Sequence, residues 1–288
     1  MARGLDHVVH VVLDLNEAAD TYRRLGFNVG ARNQHPWGTH NRLVQFPGFF
    51  LEILTVAEPE KIVSSTPTSF SFGGFNRDFL AGVGNGLSAM VVEGQDPAAE
   101  KAELDAAGFG GFDPLNFSRK GKRADGSDTE VGFSIAFARD PLSPHAGFFS
   151  CKQTHPENFW SPELQRHENG ARGIAACVLV ADNPTDHHIF LEALVGVRDL
   201  RATSLGLRVQ SPRGEVMVLD PRAFRDAYDV EPPIDQGMRL AALVFRVDDV
   251  SHVQALLHRN GVPHHPRLGQ VVVGPGTVYG STIVFSAS

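Results

Sequence analysis

Four times along the chain an apolar run ends on an aspartate, a helical stretch follows, and a glycine with an apolar neighbour closes it. The copies open with GLDHVVHVVLD, GLSAMVVEGQD, GIAACVLVAD and LAALVFRVDD, and close on Gly26-Phe27, Gly108-Phe109, Gly196-Val197 and Gly261-Val262. From turn aspartate to closing glycine lie 12, 12, 14 and 12 positions. Such constancy marks one supersecondary unit used repeatedly. A chain built this way must solve the same packing problem four times.

The first copy explains the pattern. Asp14 is placed to cap a helix, and Glu17 three positions on predicts a capping box. Leu15, Ala18, Ala19, Tyr22 and Leu25 share one face of a 3.6-residue period, and Gly26 supplies the left-handed residue that stops it. Pro97 and Pro184 fall at the starts of the second and third helices, where a missing N–H costs nothing.

Strand-like runs follow each helix: 28–33, 41–46 and 49–56 in the first copy, then 114–118, 131–139 and 147–153 in the second. The third gives 205–210 and 215–220 with a helical insertion, PRAFRDAYDV, and the fourth 270–273 and 277–286. Each copy is therefore β-α-β-β-β, an open curved sheet whose hollow needs a second copy. The expected class is α+β, with four such modules paired into two curved-sheet cups. Residues 1–160 would hold the pair 1–56 and 86–156, and residues 170–288 the pair 173–235 and 238–288. The stretches 57–85 and 154–170 read as links.

Composition narrows the function classes. With 42% hydrophobic and 20% charged residues in 288, the chain can build a core, which excludes disorder. A net charge of −7 argues against gripping phosphate backbones, so no nucleic-acid partner is expected. The basic cluster Arg119-Lys120-Gly121-Lys122-Arg123 is followed by Asp125, Asp128 and Glu130 and reads as a solvated hairpin tip. No apolar stretch approaches the roughly 18 residues of a membrane span, and Cys151 and Cys177 suggest a reducing compartment, hence a cytoplasmic location with no membrane partner. Twenty Phe against 3 Tyr and 2 Trp predict an apolar pocket or core rich in rings without polar handles.

Paired β-α-β-β-β modules that open with GLDHVVHVVLDL and close the first copy with FFLEIL resemble the vicinal-oxygen-chelate superfamily, and most closely its glyoxalase-like proteins. That resemblance implies a cup holding a divalent metal, to which the first and last strands of each module contribute one ligand each. His7 and Glu52 fall on those two positions in the first module, and imidazole with carboxylate suits Zn, Fe, Mn, Ni or Co. In the other modules the first-strand positions read as Ala89, Ala175 and Ala242. Matching FFSCKQ to FFLEIL puts Cys151 at the glutamate position, and His155 shares its strand face if the strand runs on. His35 and His40 flank Trp37 in a hairpin placed to fold over the cup, whereas His10 lies on the face opposite His7.

The expected function is a glyoxalase-like enzyme (an isomerase, lyase or dioxygenase) acting on a small oxygen-bearing organic substrate. Glu52 would double as general base, and Phe50, Leu54, Trp37 and Phe149 would line the substrate cup. The alternative is a metal-free protein that sequesters a small molecule on the same fold. A four-module extradiol dioxygenase ranks lower, because its second-half ligand positions are alanines here. Four modules can pair within one chain, so a monomer or a homodimer is expected.

Overall fold

The computed structural model describes residues 1–122 and 128–287, with the side chains of all these except 121, 122 and 128. Residues 123–127, part of the stretch the sequence reads as a solvated tip, lie outside the described residues. The first module comprises β1 (Leu5–Val11), α1 (Leu15–Arg24), β2 (Asn33–Gln34), β3 (Thr39–Phe46) and β4 (Phe49–Val56). After α2 (Phe72–Gly82) comes the second, with β5 (Gly86–Glu93), α3 (Pro97–Ala106), β6 (Leu115–Lys122), β7 (Asp128–Ala138) and β8 (Gly147–Gln153). A short α4 (Pro156–Phe159) leads to the third: β9 (Ala171–Val180), α5 (His188–Val195), β10 (Leu200–Thr203), β11 (Gly206–Gln210) and β12 (Glu215–Leu219). Beyond α6 (Pro221–Tyr228), the fourth has β13 (Arg239–Val247), α7 (Val250–Arg259), β14 (His265–Arg267), β15 (Gln270–Val273) and β16 (Thr282–Ser286).

The modules pair as expected. Two eight-stranded curled sheets form, ordered β2-β3-β4-β1-β5-β8-β7-β6 and β10-β11-β12-β9-β13-β16-β15-β14. In each, the two opening strands lie antiparallel at the centre and each closing strand runs parallel to its own module's opening strand. Alternation along the strands then sorts side chains between two faces. One face of each sheet, with Val8 and Met90 on the first and Leu179 and Leu243 on the second, joins α1, α5 and α7 in a single buried cluster. The opposite faces are the hollows, cup A in the first sheet and cup B in the second.

Local chemistry holds the repeat in place. Asp14 accepts from the backbone N–H groups of Asn16 and Glu17, and Gly26 adopts φ 84°, as the sequence requires. The Glu17 side chain turns to Tyr279. The stretches read as links carry helices that plug cup A. Ser71 caps α2, whose Phe72 and Phe79 enter the cup cluster, and Phe159 of α4 packs on Phe50 with ring centroids 5.1 Å apart. Gly73 permits this closeness, since a Cβ there would stand 3.0 Å from the Trp37 carbonyl. Among the described residues no helix is long and apolar enough to cross a membrane.

Candidate active site in the first cup

Strand register builds the site. On β1 and β4, His7 lies beside Phe50 and Val9 beside Glu52, so His7 and Glu52 are diagonal neighbours on one face. A β-bulge between Leu5 and His7 places two residues of β1 against one of β5 and turns Asp6 toward the same region. Asp6 Oδ1 sits 2.6 Å from His7 Nδ1, and Gln153 Nε2 donates to Asp6 Oδ2 at 3.3 Å. With Nδ1 engaged, the nitrogen His7 offers is Nε2, 3.9 Å from Glu52 Oε2. The imidazole stacks on Phe50 at 4.3 Å and 14° and meets the edge of Phe149 at 5.7 Å.

Glu52 is held from its other side. Asn41 of β3 donates to Oε1 at 2.5 Å, and His35 Nε2 stands 3.8 Å from the same oxygen. His35 Nδ1 is 2.9 Å from Thr39 Oγ1, and its ring stacks on Trp37 at 4.9 Å. Burial lowers the His35 pKa to about 4 against the pull of Glu52, so its ring is neutral near pH 7. Burial likewise raises Asp6 above the usual carboxylate range, despite His7 beside it. The Cys151 thiol is pushed well up, first by burial and then by the charges of Asp6, Glu52 and Glu100.

His7, His35, Asn41, Glu52 and Cys151 line a cavity of about 50 Å³ walled by Phe50, Phe117, Phe133 and Phe149. An engineered cavity of roughly 150 Å³ takes benzene. The enclosed floor of cup A is therefore smaller than a benzene-sized cavity. Two donors stand ready there. Trp37 Nε1 is buried without a hydrogen-bond partner. Arg119 of β6, half-buried in the cavity wall, has no ion-pair partner among the described residues and feels the charge of Glu52. That position corrects the expectation that Arg119 belongs to a solvated tip.

Of the residues singled out in the sequence, His7, Glu52, Cys151, Phe50, Trp37 and Phe149 line the cavity. Leu54 is fully buried in the adjoining apolar cluster, outside the lining. His155 is not brought in. The strand ends at Gln153 and Pro156 opens α4, so alternation stops; His155 Nδ1 lies 3.5 Å from Glu157 with its side chain 43% exposed. His40 turns away to Arg32 and to Glu58, 3.1 Å from its Nε2. His10 contacts Tyr22 and the Tyr279 carbonyl on the opposite face.

The ladders also correct two equivalences. Because Val91 pairs with Phe149 as Val9 pairs with Glu52, the second module's counterpart of Glu52 is Phe149, and Cys151 lies two positions further on. By the same register the counterparts in cup B are Ala176, Met217, Ala242 and Val284, with Ala176 in place of Ala175.

The donor set fits a divalent ion. Donors sharing one ion at about 2.0–2.2 Å lie no more than ~4.3 Å apart. His7 Nε2, 3.9 Å from Glu52 Oε2, meets that bound, whereas His35 Nε2 faces the other oxygen, Oε1, at 3.8 Å, where Asn41 already donates. Asp6, His7 and Cys151 are the buried group, among the described residues, whose ligand atoms all lie within 4.8 Å of one another, compatible with a metal ion once the thiol loses its proton.

Fold and site together define a member of the glyoxalase-like class. Residues 5–195 match the family model of the glyoxalase-like domain, and the chain belongs to that family. A hypothetical protein from Staphylococcus aureus shares the fold with TM-score 0.68 and 10% identity over 99% of both chains. A variant of 4-hydroxymandelate synthase from Streptomyces coelicolor aligns with TM-score 0.59 and 12% identity, over 99% of this chain and 92% of that one. A xylose isomerase-like TIM barrel/4-hydroxyphenylpyruvate dioxygenase fusion protein aligns with TM-score 0.57 and 15% identity. The chain spans 48% of the fusion's length and is itself 99% covered. No curated protein sequence matches the chain.

Proposed function

We propose that cup A is the active site of a glyoxalase-like enzyme acting on a small oxygen-bearing organic molecule, with His7 and Glu52 facing the reacting atoms. One observation carries this reading. A ring nitrogen and a carboxylate oxygen, on two residues that are each 5% exposed, face one another across 3.9 Å in an aromatic cavity. Burying such groups is costly unless they are paired or put to use.

The division of labour follows from the contacts. Asp6 fixes the His7 ring so that Nε2 is presented, and Asn41 anchors one Glu52 oxygen and leaves the other free. A carboxylate held this way takes a proton from carbon beside a carbonyl or hydroxyl and hands it back. Trp37 Nε1–H and the Arg119 guanidinium answer oxygens on the substrate, while the phenylalanine walls exclude water and strengthen each polar contact. His7, with Asp6, Cys151 and Glu52 beside it, would hold a divalent ion (zinc, iron, manganese, nickel or cobalt), which would supply Lewis-acid polarisation. The same groups serve an isomerase, a lyase or a dioxygenase, according to the substrate.

A metal-free binding protein is the second reading, favoured by the apolar Ala89 and Phe149 at the second module's equivalent positions. Elemental analysis of untagged protein separates the two. The enzyme reading expects about one metal per chain, lost in His7→Ala and retained in His155→Ala. Protein free of metal, with ligand binding unchanged in Glu52→Gln, supports the binder.

A further inference from the structure

Cup B has lost the polar pair of cup A yet keeps an open cleft of about 410 Å³, within the range of small-molecule sites. Its lining is mixed rather than apolar. Arg208 and Glu215 neutralise one another through an ion pair of 3.1 Å. Arg246, on β13 at the same cleft, has no ion-pair or hydrogen-bond partner among the described residues, so the cleft carries one uncompensated positive charge. Tyr228 of α6 is 4% exposed, and its phenol, which lines the cleft, has no hydrogen-bond partner among the described residues. Burial pushes that phenol up to about 12, so it stays a neutral donor.

The rim adds an apolar component. Leu205 is 57% exposed and Leu268 is 77% exposed, and both border the cleft. Leu268 holds φ 49°, a left-handed conformation that leucine disfavours and that strained functional segments often show. Beneath them, Ala176 and Met217 give an apolar floor.

We propose that cup B is a second binding site, separate from cup A, for a small amphipathic monoanion of the carboxylate class. Its apolar body lies over Ala176 and Met217 between Leu205 and Leu268, its charge meets Arg246, and the Tyr228 hydroxyl serves as a further donor. Complementarity decides the class. Among the described residues the cleft offers a single net positive charge and an unpaired neutral donor, and its exposed leucines gain by being covered.

The test is a fluorescence titration of the intact protein with 8-anilinonaphthalene-1-sulfonate, an aromatic monoanion, followed by displacement with octanoate and with its neutral twin 1-octanol. One site is expected, displaced by octanoate and at least tenfold less well by octanol. Arg246→Gln should weaken binding about tenfold and Tyr228→Phe several-fold. Leu268→Asp, a surface change that leaves the core intact, should weaken it as well. His7→Ala in cup A should leave the titration unchanged. Binding that ignores Arg246→Gln and Leu268→Asp, that disappears in His7→Ala, or that octanol displaces as well as octanoate overturns the proposal.

Discussion

Cups A and B are the same construction with different interiors. Where cup A carries His7 and Glu52, cup B carries Ala176 and Met217. Cup B and the second half of cup A, with Ala89, Phe149, Ala242 and Val284, are apolar at every equivalent position. Cup B shows that this fold closes well on aliphatic side chains, since Met217 and Val284 are buried beside Phe224 of α6. The sheet therefore does not need a histidine and a glutamate at its centre. Their presence in cup A, braced by Asp6 and Asn41, is a cost in stability that the proposed function would explain.

That contrast can be attacked from both sides. The largest effect is expected from installing cup A chemistry in cup B. Met217→Glu buries a carboxylate with no Asn41 or His7 to meet it, and should lower unfolding free energy in urea by about 3 kcal/mol or more at pH 7. A loss under 1 kcal/mol would mean cup B tolerates charge and the comparison teaches little.

Acid should distinguish the cups next. His35 is held near a pKa of about 4 in the folded chain against 6.5 unfolded, so below pH 6.5 the unfolded chain binds more protons. Stability is thus lost as pH falls from about 6.5 to about 4. His10, also held near about 4 by burial, adds to the loss, while Asp6, whose pKa is raised, works against it. Among the described residues no histidine lines the cleft of cup B. Hydrogen exchange should therefore show β2 to β4 losing protection before β10 to β12, with the difference reduced in His35→Gln. Equal loss in both sheets contradicts this picture.

Much of the architecture was legible because it is periodic. β4, β8 and β15 begin and end where the strand-like runs do, and all four helix positions follow the aspartate-to-glycine spacing. The run 28–33 pairs only at its end, in β2 (Asn33–Gln34). Helix α2 was hidden by Gly73 and Gly74, which read as linker although Ser71, Phe72 and Phe79 carry a cap and a helical face. Within the site, His7 and Glu52 were visible through resemblance. Asp6 was not, because simple alternation puts it on the wrong face and only the bulge turns it in. Cys151 was misregistered by two because the paired phenylalanines are not equivalent in the ladder, and Arg119 was read with its charged neighbours instead of with the strand that buries it.

The most direct measurement is the unfolding free energy of the double variant His7→Ala/Glu52→Met, which gives cup A the pair of residues that cup B uses. If the pair serves chemistry and not packing, the double variant should stay within about 1–2 kcal/mol of the native chain, since replacing both partners of a buried pair by apolar groups is often neutral or favourable, whereas removing one strands the other. Metal or ligand binding should be lost in the same variant. A chain destabilised by about 3 kcal/mol, with binding intact, would contradict the account and make His7 and Glu52 a structural pair.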